Sequence, residues 1–315
     1  MKKFIEELKS GELIDSLFSV KYKRAVSDYA NGWRFAFGVS DRTGEVEVSY
    51  WGGNDQKRVQ DLHDSFKEDD VIRIQGIVGI WKDKKKIDIN EGRGAVSRAE
   101  AFDPEDFLPK SGKDMNELEA QLLELVDGVG DEGLRALMCA LFRDPEFMKG
   151  FRRAPAAMYL HHAWLGGLME HSLSVAQIVR EAGKMYSLDM DLLTVGALLH
   201  DIGKVREFEV TTNIKIGEEG MLRGHVVIGE EMVREKAKAV GLDAKTLMKL
   251  SHIILSHHGE LENGAPKKPT FIEAILVHYA DQMDAKASQF ERIRKETTSE
   301  DFHVYDKNLG QVYLK

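Results

Sequence analysis

The feature that most constrains the fold is a change of period part-way along the chain. In WRFAFGV, Trp33, Phe35, Phe37 and Val39 alternate with Arg34, Ala36 and Gly38, and in EVEVSYW, Val46, Val48 and Tyr50 share one side. A period of two is that of a strand with one buried face. DRTG supplies a turn between these runs, and further strands are predicted at 17–22, 71–78 and 86–90. Beyond residue 113 the apolar spacing becomes three to four and stays so, which is helical.

Residues 54–66 have a helical pattern and fall between the third and fourth strands. Three strands, a helix and two strands suit a small closed barrel with the layout of an OB-fold. FDPEDFLPKSGK then places two of the chain's six prolines among charges, a linker composition. After it, Asp114 and Glu117 read as caps of a helix reaching Asp127, and DEGLRALMCALF continues the helical spacing. Longer helices are predicted at 163–186, 189–202, 224–240, 244–257 and 270–295. Thr270 with Glu273 makes a capping-box signal, and Gly203 and Gly241 read as helix stops. The expected architecture is multidomain: an all-β OB-fold barrel over 1–101, a linker over 102–113, an all-α helical bundle over 114–296, and a tail over 297–315.

Composition narrows the setting. Lysine and arginine number 44 against 53 aspartates and glutamates, a net charge of −9, so the surface is not uniformly basic. One cysteine, Cys139, excludes an internal disulfide and a Cys-rich zinc module, and a reducing cytoplasm fits best. No apolar run approaches membrane-spanning length, and MKKFIEELKSGELID has no apolar core behind its lysines, so neither an anchor nor a signal peptide is expected.

Histidine is unevenly spread. Eight of the 11 lie between His161 and His258. With no thiolates on offer, imidazole and carboxylate are the ligands such a chain would use for a divalent metal. The candidates are His171, His200, Asp201, His225, His257, His258 and Asp281, each on a predicted helix or at its end. Their spacing is too long for a local finger and suits a site between neighbouring helices. The His-Asp dipeptide alone is no evidence, since it also occurs at His63–Asp64. The context of His200–Asp201 is stronger: it ends the apolar helix LLTVGALL, where a carboxylate without a partner is costly. Lys204 follows as a phosphate contact. His252 reads as structural, His278 as supporting or packing, and His63, His161 and His303 as exposed.

These residues carry a resemblance. HDIGK, with His171 in GGLMEHSLSVA, His225 in GHVVIGEEM, His257–His258 in ILSHHGE and Asp281 in HYADQMD, resembles the HD superfamily of metal-dependent phosphohydrolases. APAAMYLHHAWLGGLMEHSLSV, preceded by an OB-like domain, is similar to the YhaM family of 3′-to-5′ exoribonucleases. The resemblance implies a first metal site of His171, His200, Asp201 and Asp281. Asp201 would bridge to a second held by His225, His257 and His258. Two divalent ions about 3.5–4 Å apart can activate water and stabilise charge on an attacked phosphate. Lys204 and His162 would steady its oxygens. The implied reaction is hydrolysis of single-stranded RNA, and of DNA as a further substrate, to 5′-mononucleotides. The implied metal is Mn²⁺; ligand chemistry alone also admits Fe²⁺, Co²⁺, Ni²⁺ or Zn²⁺.

In the barrel, Trp33, Phe35 and Phe37 are expected to fill the interior. Nucleic-acid contacts are expected from Lys21, Lys23, Arg34 and Trp51, and from the loop IWKDKKK with Trp81, Lys82, Lys84, Lys85 and Lys86. Residues 1–110 hold 19 basic and 21 acidic residues, so modest, salt-sensitive binding is expected. Two alternatives remain: an HD phosphodiesterase or phosphatase acting on small nucleotides, and a nucleic-acid-binding protein with a residual metal site. The sequence leaves a homo-oligomer open.

Overall fold

The computed structural model describes residues 2–82, 84–158, 162–297 and 301–315; His161 lies outside them. The chain divides into two compact units, Met1–Pro109 with Val210–Asn213, and Lys110–Glu209 with Ile214–Lys315.

The first unit is a barrel built from β1 (Leu13–Lys23), β2 (Ser27–Tyr29), β3 (Gly32–Asp41), β4 (Gly44–Trp51), α1 (Gln56–Asp64), β5 (Val71–Trp81), β6 (Lys84–Asn90) and β7 (Ala95–Arg98). β1 pairs antiparallel with β3 and, on its other side, with β5. β3 pairs with β4, β4 runs parallel to β6, and β6 returns antiparallel to β5, which closes a five-stranded ring. The parallel β4–β6 pairing, with α1 between β4 and β5, is the OB arrangement. β2 and β7 extend it along β3 and β5.

Alternation along the strands fills the ring. Phe18, Phe35, Phe37, Val48, Ile72, Ile74, Ile87 and Ile89 are buried together, while Trp33 sits only partly buried at the margin of this core. Strands are longer than their patterns suggested: β5 runs to Trp81 and β6 starts at Lys84. The expected loop IWKDKKK is therefore mostly strand, because the ladder continues to the Trp81–Lys84 pair. Residues expected in the linker include buried Phe107 and Leu108, which group with the barrel unit.

The second unit contains α2 (Met115–Asp127), α3 (Glu132–Phe142), α4 (Pro145–Arg153), α5 (Gly167–Gly183), α6 (Met190–Leu199), α7 (Lys204–Glu207), α8 (Glu218–Val240), α9 (Ala244–Ser256) and α10 (Ile272–Glu296). A hairpin, β8 (Phe208–Val210) with β9 (Ile214–Ile216), follows α7, and β10 (His303–Asp306) pairs with β11 (Gly310–Tyr313) near the C-terminus. Every residue of α6 from Leu192 to Leu199 is buried, as befits a helix apolar on all sides. Asp114, Asp131 and Asp189 cap α2, α3 and α6 through their carboxylates. The capping box expected at Thr270 and Glu273 does not form. Thr270 pairs with His252 and Glu273 accepts from the Asp189 amide, so α10 starts from Phe271 without a side-chain cap. Gly241 ends α8 in the left-handed conformation, as its position suggested.

Candidate metal centre

Helix ends and one close backbone approach build the centre. His171 projects from α5, His200 and Asp201 follow the last residue of α6, His257 and His258 follow α9, and Asp281 lies on α10. Gly203 has φ −63° and is not a left-handed stop, which corrects its reading as a helix end. Its role is proximity: a Cβ there would stand 2.0 Å from the His225 carbonyl oxygen. Only glycine lets the Asp201 turn lie directly on α8, and this brings Asp201 to His225. α8 itself kinks at Gly224 (φ 69°, ψ 152°), the residue before His225.

The seven expected ligands converge as two donor sets that meet at Asp201. In the first, His171, His200, Asp201 and Asp281 bring one donor atom each within 4.8 Å of one another. His171 Nε2 is 3.2 Å from His200 Nε2, 3.2 Å from Asp281 Oδ1 and 3.5 Å from Asp201 Oδ2. In the second, His225, His257 and His258 converge likewise, with 3.3 Å between the Nε2 atoms of His225 and His258. The other oxygen of Asp201, Oδ1, is 3.4 Å from Nε2 of both His225 and His257. One carboxylate thus faces both sets, an oxygen to each.

A layer behind these ligands fixes which ring nitrogen faces inward. Asp284 Oδ2 takes His171 Nδ1 at 2.7 Å, and Glu207 Oε1 takes His225 Nδ1 at 3.0 Å. The carbonyls of Ala197 and Ile254 accept from Nδ1 of His200 and His257, each at 2.7 Å. With Nδ1 engaged from behind, each of these four rings turns its Nε2 toward the cluster, the arrangement of metal-ligating histidines. Asp284 and Glu207 were missed in the sequence. Asp284 had a readable signal, since it lies three residues after Asp281 on the same helix face. Glu207 had none, because its partner is 18 residues away across the β8–β9 hairpin.

The electrostatics are those of a cation site. Burial disfavours charge on His171, yet Asp201, Asp281 and Asp284 outweigh it and hold its pKa well above 6.5. Burial likewise opposes charge on Asp201, but Lys204, His200 and His171 keep it ionised, well below the usual carboxylate range. In the second set, burial lowers His257, and burial with the neighbouring imidazoles lowers His258 to about 3, so both stay neutral with a lone pair to give. Among the described residues, Asp201 Oδ1 and His257 Nε2 are buried with no hydrogen-bond partner. A buried carboxylate oxygen left unpaired costs several kcal/mol. Imidazole nitrogens and carboxylates gathered around such atoms fit a divalent ion. Bound there, it would supply Lewis-acid polarisation of a phosphodiester and a water of lowered pKa.

The remaining expected residues divide. Lys204 is buried, its ammonium on Asp201 Oδ2, so its charge serves that carboxylate. His162 gives Nε2 to Asp284 at 3.0 Å and shares Oδ2 with His171, standing behind the ligands and not among them. His278 donates to the His257 carbonyl, and His252 meets Thr270. On the barrel, Arg34 lies over the Trp51 ring at 5.2 Å, and Lys86 pairs with Asp88 Oδ1 at 2.9 Å while standing 5.7 Å from Trp51 and 5.9 Å from Trp81. Lys21, Lys82, Lys84 and Trp81 are exposed. Two expected contacts are corrected. Lys23 donates to the His63 and Phe66 carbonyls at the end of α1, and Lys85 reaches the Glu6 carbonyl at 3.0 Å. Backbone acceptors left over by short helices claim both ammonium groups.

The family model described as HD domain matches residues 168–286. These residues form an HD domain. Over 304 residues the chain is 27% identical to a protein of Listeria monocytogenes serotype 4b (strain CLIP80459) named 3′-5′ exoribonuclease YhaM, covering 96% of this chain and 94% of that one. A protein of the same name from Bacillus subtilis (strain 168) is 28% identical over 284 residues, 90% of this chain and 88% of that one. Among solved structures, an OB domain from Methanosarcina mazei matches 36% of this chain and 95% of its own, at 10% identity and a TM-score of 0.26. The matched residues include all seven candidate ligands, together with Glu170, Glu207 and Asp284. Among the described residues, no helix is long and apolar enough to cross a membrane.

Proposed function

We propose that this chain is a metal-dependent 3′-to-5′ exoribonuclease. It would hydrolyse single-stranded RNA, and single-stranded DNA as a further substrate, to 5′-mononucleotides, with Mn²⁺ as the working metal. The observation that carries the reading is Asp201, one carboxylate whose two oxygens serve two donor sets. A carboxylate shared between two donor sets suits a two-ion phosphodiesterase. The relatives that match along nearly the whole chain supply the polarity and the polymer. An OB barrel in the same chain supports a single-stranded substrate, read by stacking on Trp51 and Trp81 and by Arg34 and Lys84.

The chain's own groups set the chemistry. Asp284, Glu207 and two backbone carbonyls hold the imidazoles in register before any substrate arrives, so no reorganisation is needed during reaction. Lys204 sets its ammonium on Asp201 Oδ2 and would steady a phosphate oxygen there.

The deciding experiment gives Mn²⁺-reconstituted protein end-labelled single-stranded RNA, a blunt duplex and a panel of small phosphodiesters. Stepwise shortening from the 3′ end is expected, abolished in Asp201→Ala. Turnover confined to the small phosphodiesters would replace this reading with a small-nucleotide phosphodiesterase. No turnover at all, with RNA still bound, would leave a binding protein.

A further inference from the structure

Helix α9 ends at Ser256, and the last carbonyls of a helix have no partners within it. The two residues that follow, His257 and His258, belong to the second donor set, so their place depends on how this end is tied down. The Ile254 carbonyl fixes the His257 ring through Nδ1 at 2.7 Å. The backbone that carries the ring is fixed from another helix: His278 of α10 donates from Nδ1 to the His257 carbonyl at 2.7 Å. We infer that His278 is a positioning residue for the second metal, holding the turn from His257 to Gly259 so that both imidazoles meet Asp201 and His225. The inference rests on the two-ion reading above and adds a residue to it.

His278 grips the turn at two points. Its bond to the His257 carbonyl lies in the interior, where a carbonyl left unpaired is costly. Its ring lies against Gly259, where a Cβ would stand 2.2 Å from His278 Cε1. Gly259 is left-handed (φ 78°) and closes the turn by donating to the Ser256 carbonyl at 2.8 Å. Only glycine satisfies both that conformation and that approach. His258 sits between the two points, so its backbone is held on either side. From this turn His257 Nε2 reaches to 3.4 Å from Asp201 Oδ1, and His258 Nε2 to 3.3 Å from His225 Nε2. Asp281 lies three residues after His278 on the same face of α10. One helix thus gives a ligand to the first set and braces the turn that carries two ligands of the second.

The test is Mn²⁺ titration of the chelator-treated full chain, resolved into two binding steps, with His258→Ala marking the second. His278→Phe keeps a flat ring against Gly259 and removes the donor. It should weaken the second step by about 10- to 100-fold, the range for lost supporting groups, and leave the first unchanged. A first step at wild-type affinity also shows that the variant has folded. His278→Asn should recover most of the loss, because its side-chain amide can donate to the same carbonyl. Gly259→Ala, which drives a methyl group into the imidazole, should weaken the second step as well. An unchanged second step in His278→Phe, equal loss at both steps, or an asparagine variant as weak as phenylalanine would overturn the positioning role. The two readings fail separately. A wild type with a single Mn²⁺ step would overturn the two-ion site and this inference with it, whereas two steps indifferent to His278 would overturn the inference alone.

Discussion

Removing Asp284 tests whether the layer behind the ligands sets metal affinity. Its Oδ2 accepts from both His171 Nδ1 at 2.7 Å and His162 Nε2 at 3.0 Å, and Asp284 is ionised well below the usual range despite burial because of those two histidines. Such supporting groups are worth about 10- to 100-fold in metal affinity, or about 1.4–2.7 kcal/mol. Charge-assisted hydrogen bonds are roughly twice as strong as neutral ones. Asp284→Asn leaves an acceptor of the same shape without the charge, so about tenfold is expected. Asp284→Ala removes both bonds, so about a hundredfold is expected. The assay is Mn²⁺ titration of chelator-treated protein, resolved into two binding steps, at several pH values. The loss should fall on the step assigned to His171, His200, Asp201 and Asp281, and spare the His225, His257 and His258 step. A second signature follows from the sign of the His171 shift. Its folded pKa lies above 6.5, so a cation entering the first set must displace a proton, and affinity rises with pH. Without the Asp284 charge that pKa falls and the pH dependence flattens. Affinity unchanged in both variants, or lost equally at both steps with an unaltered pH slope, would refute the reasoning.

Three further outcomes are expected. Gly203→Ala places a methyl group 2.0 Å from the His225 carbonyl, an overpacking that should lower thermal stability by about 1–3 kcal/mol and weaken both Mn²⁺ steps together; a fully stable variant with unchanged Mn²⁺ binding would show the approach is not needed. Glu170 sits near about 2, below its ordinary 4.5, so the stability it contributes is complete above about 4.5 and lost as pH falls toward 2. In Glu170→Gln, acid unfolding followed by circular dichroism should be flatter across that window, and an unchanged acid limb would count against its ion pairs. On the barrel, Lys84→Ala should raise KM for long RNA and reduce the salt slope of binding by about 0.7 for the lost phosphate contact, while Lys85→Ala should leave that slope intact; equal slopes in the two would remove the distinction drawn from the Glu6 carbonyl.

What the sequence could specify was local. Period-two alternation placed Phe35 and Phe37 inside the barrel, and the all-apolar run of α6 buried the helix that delivers His200 and Asp201. The seven residues that converge at Asp201 were also legible as candidates, because metal chemistry restricts which residue types can serve. Tertiary structure alone decided how those residues are used. Which nitrogen of His171 faces the cluster depends on Asp284, 113 residues away, and the use of Gly203 depends on a carbonyl of another helix. Lys23 and Lys85 read as free cations in the sequence, yet each is claimed by carbonyls tens of residues distant. The reason is physical. Periodicity and capping arise from neighbours within a few residues, whereas tautomers, close approaches and the partner of a long flexible side chain are set by whatever the fold brings alongside.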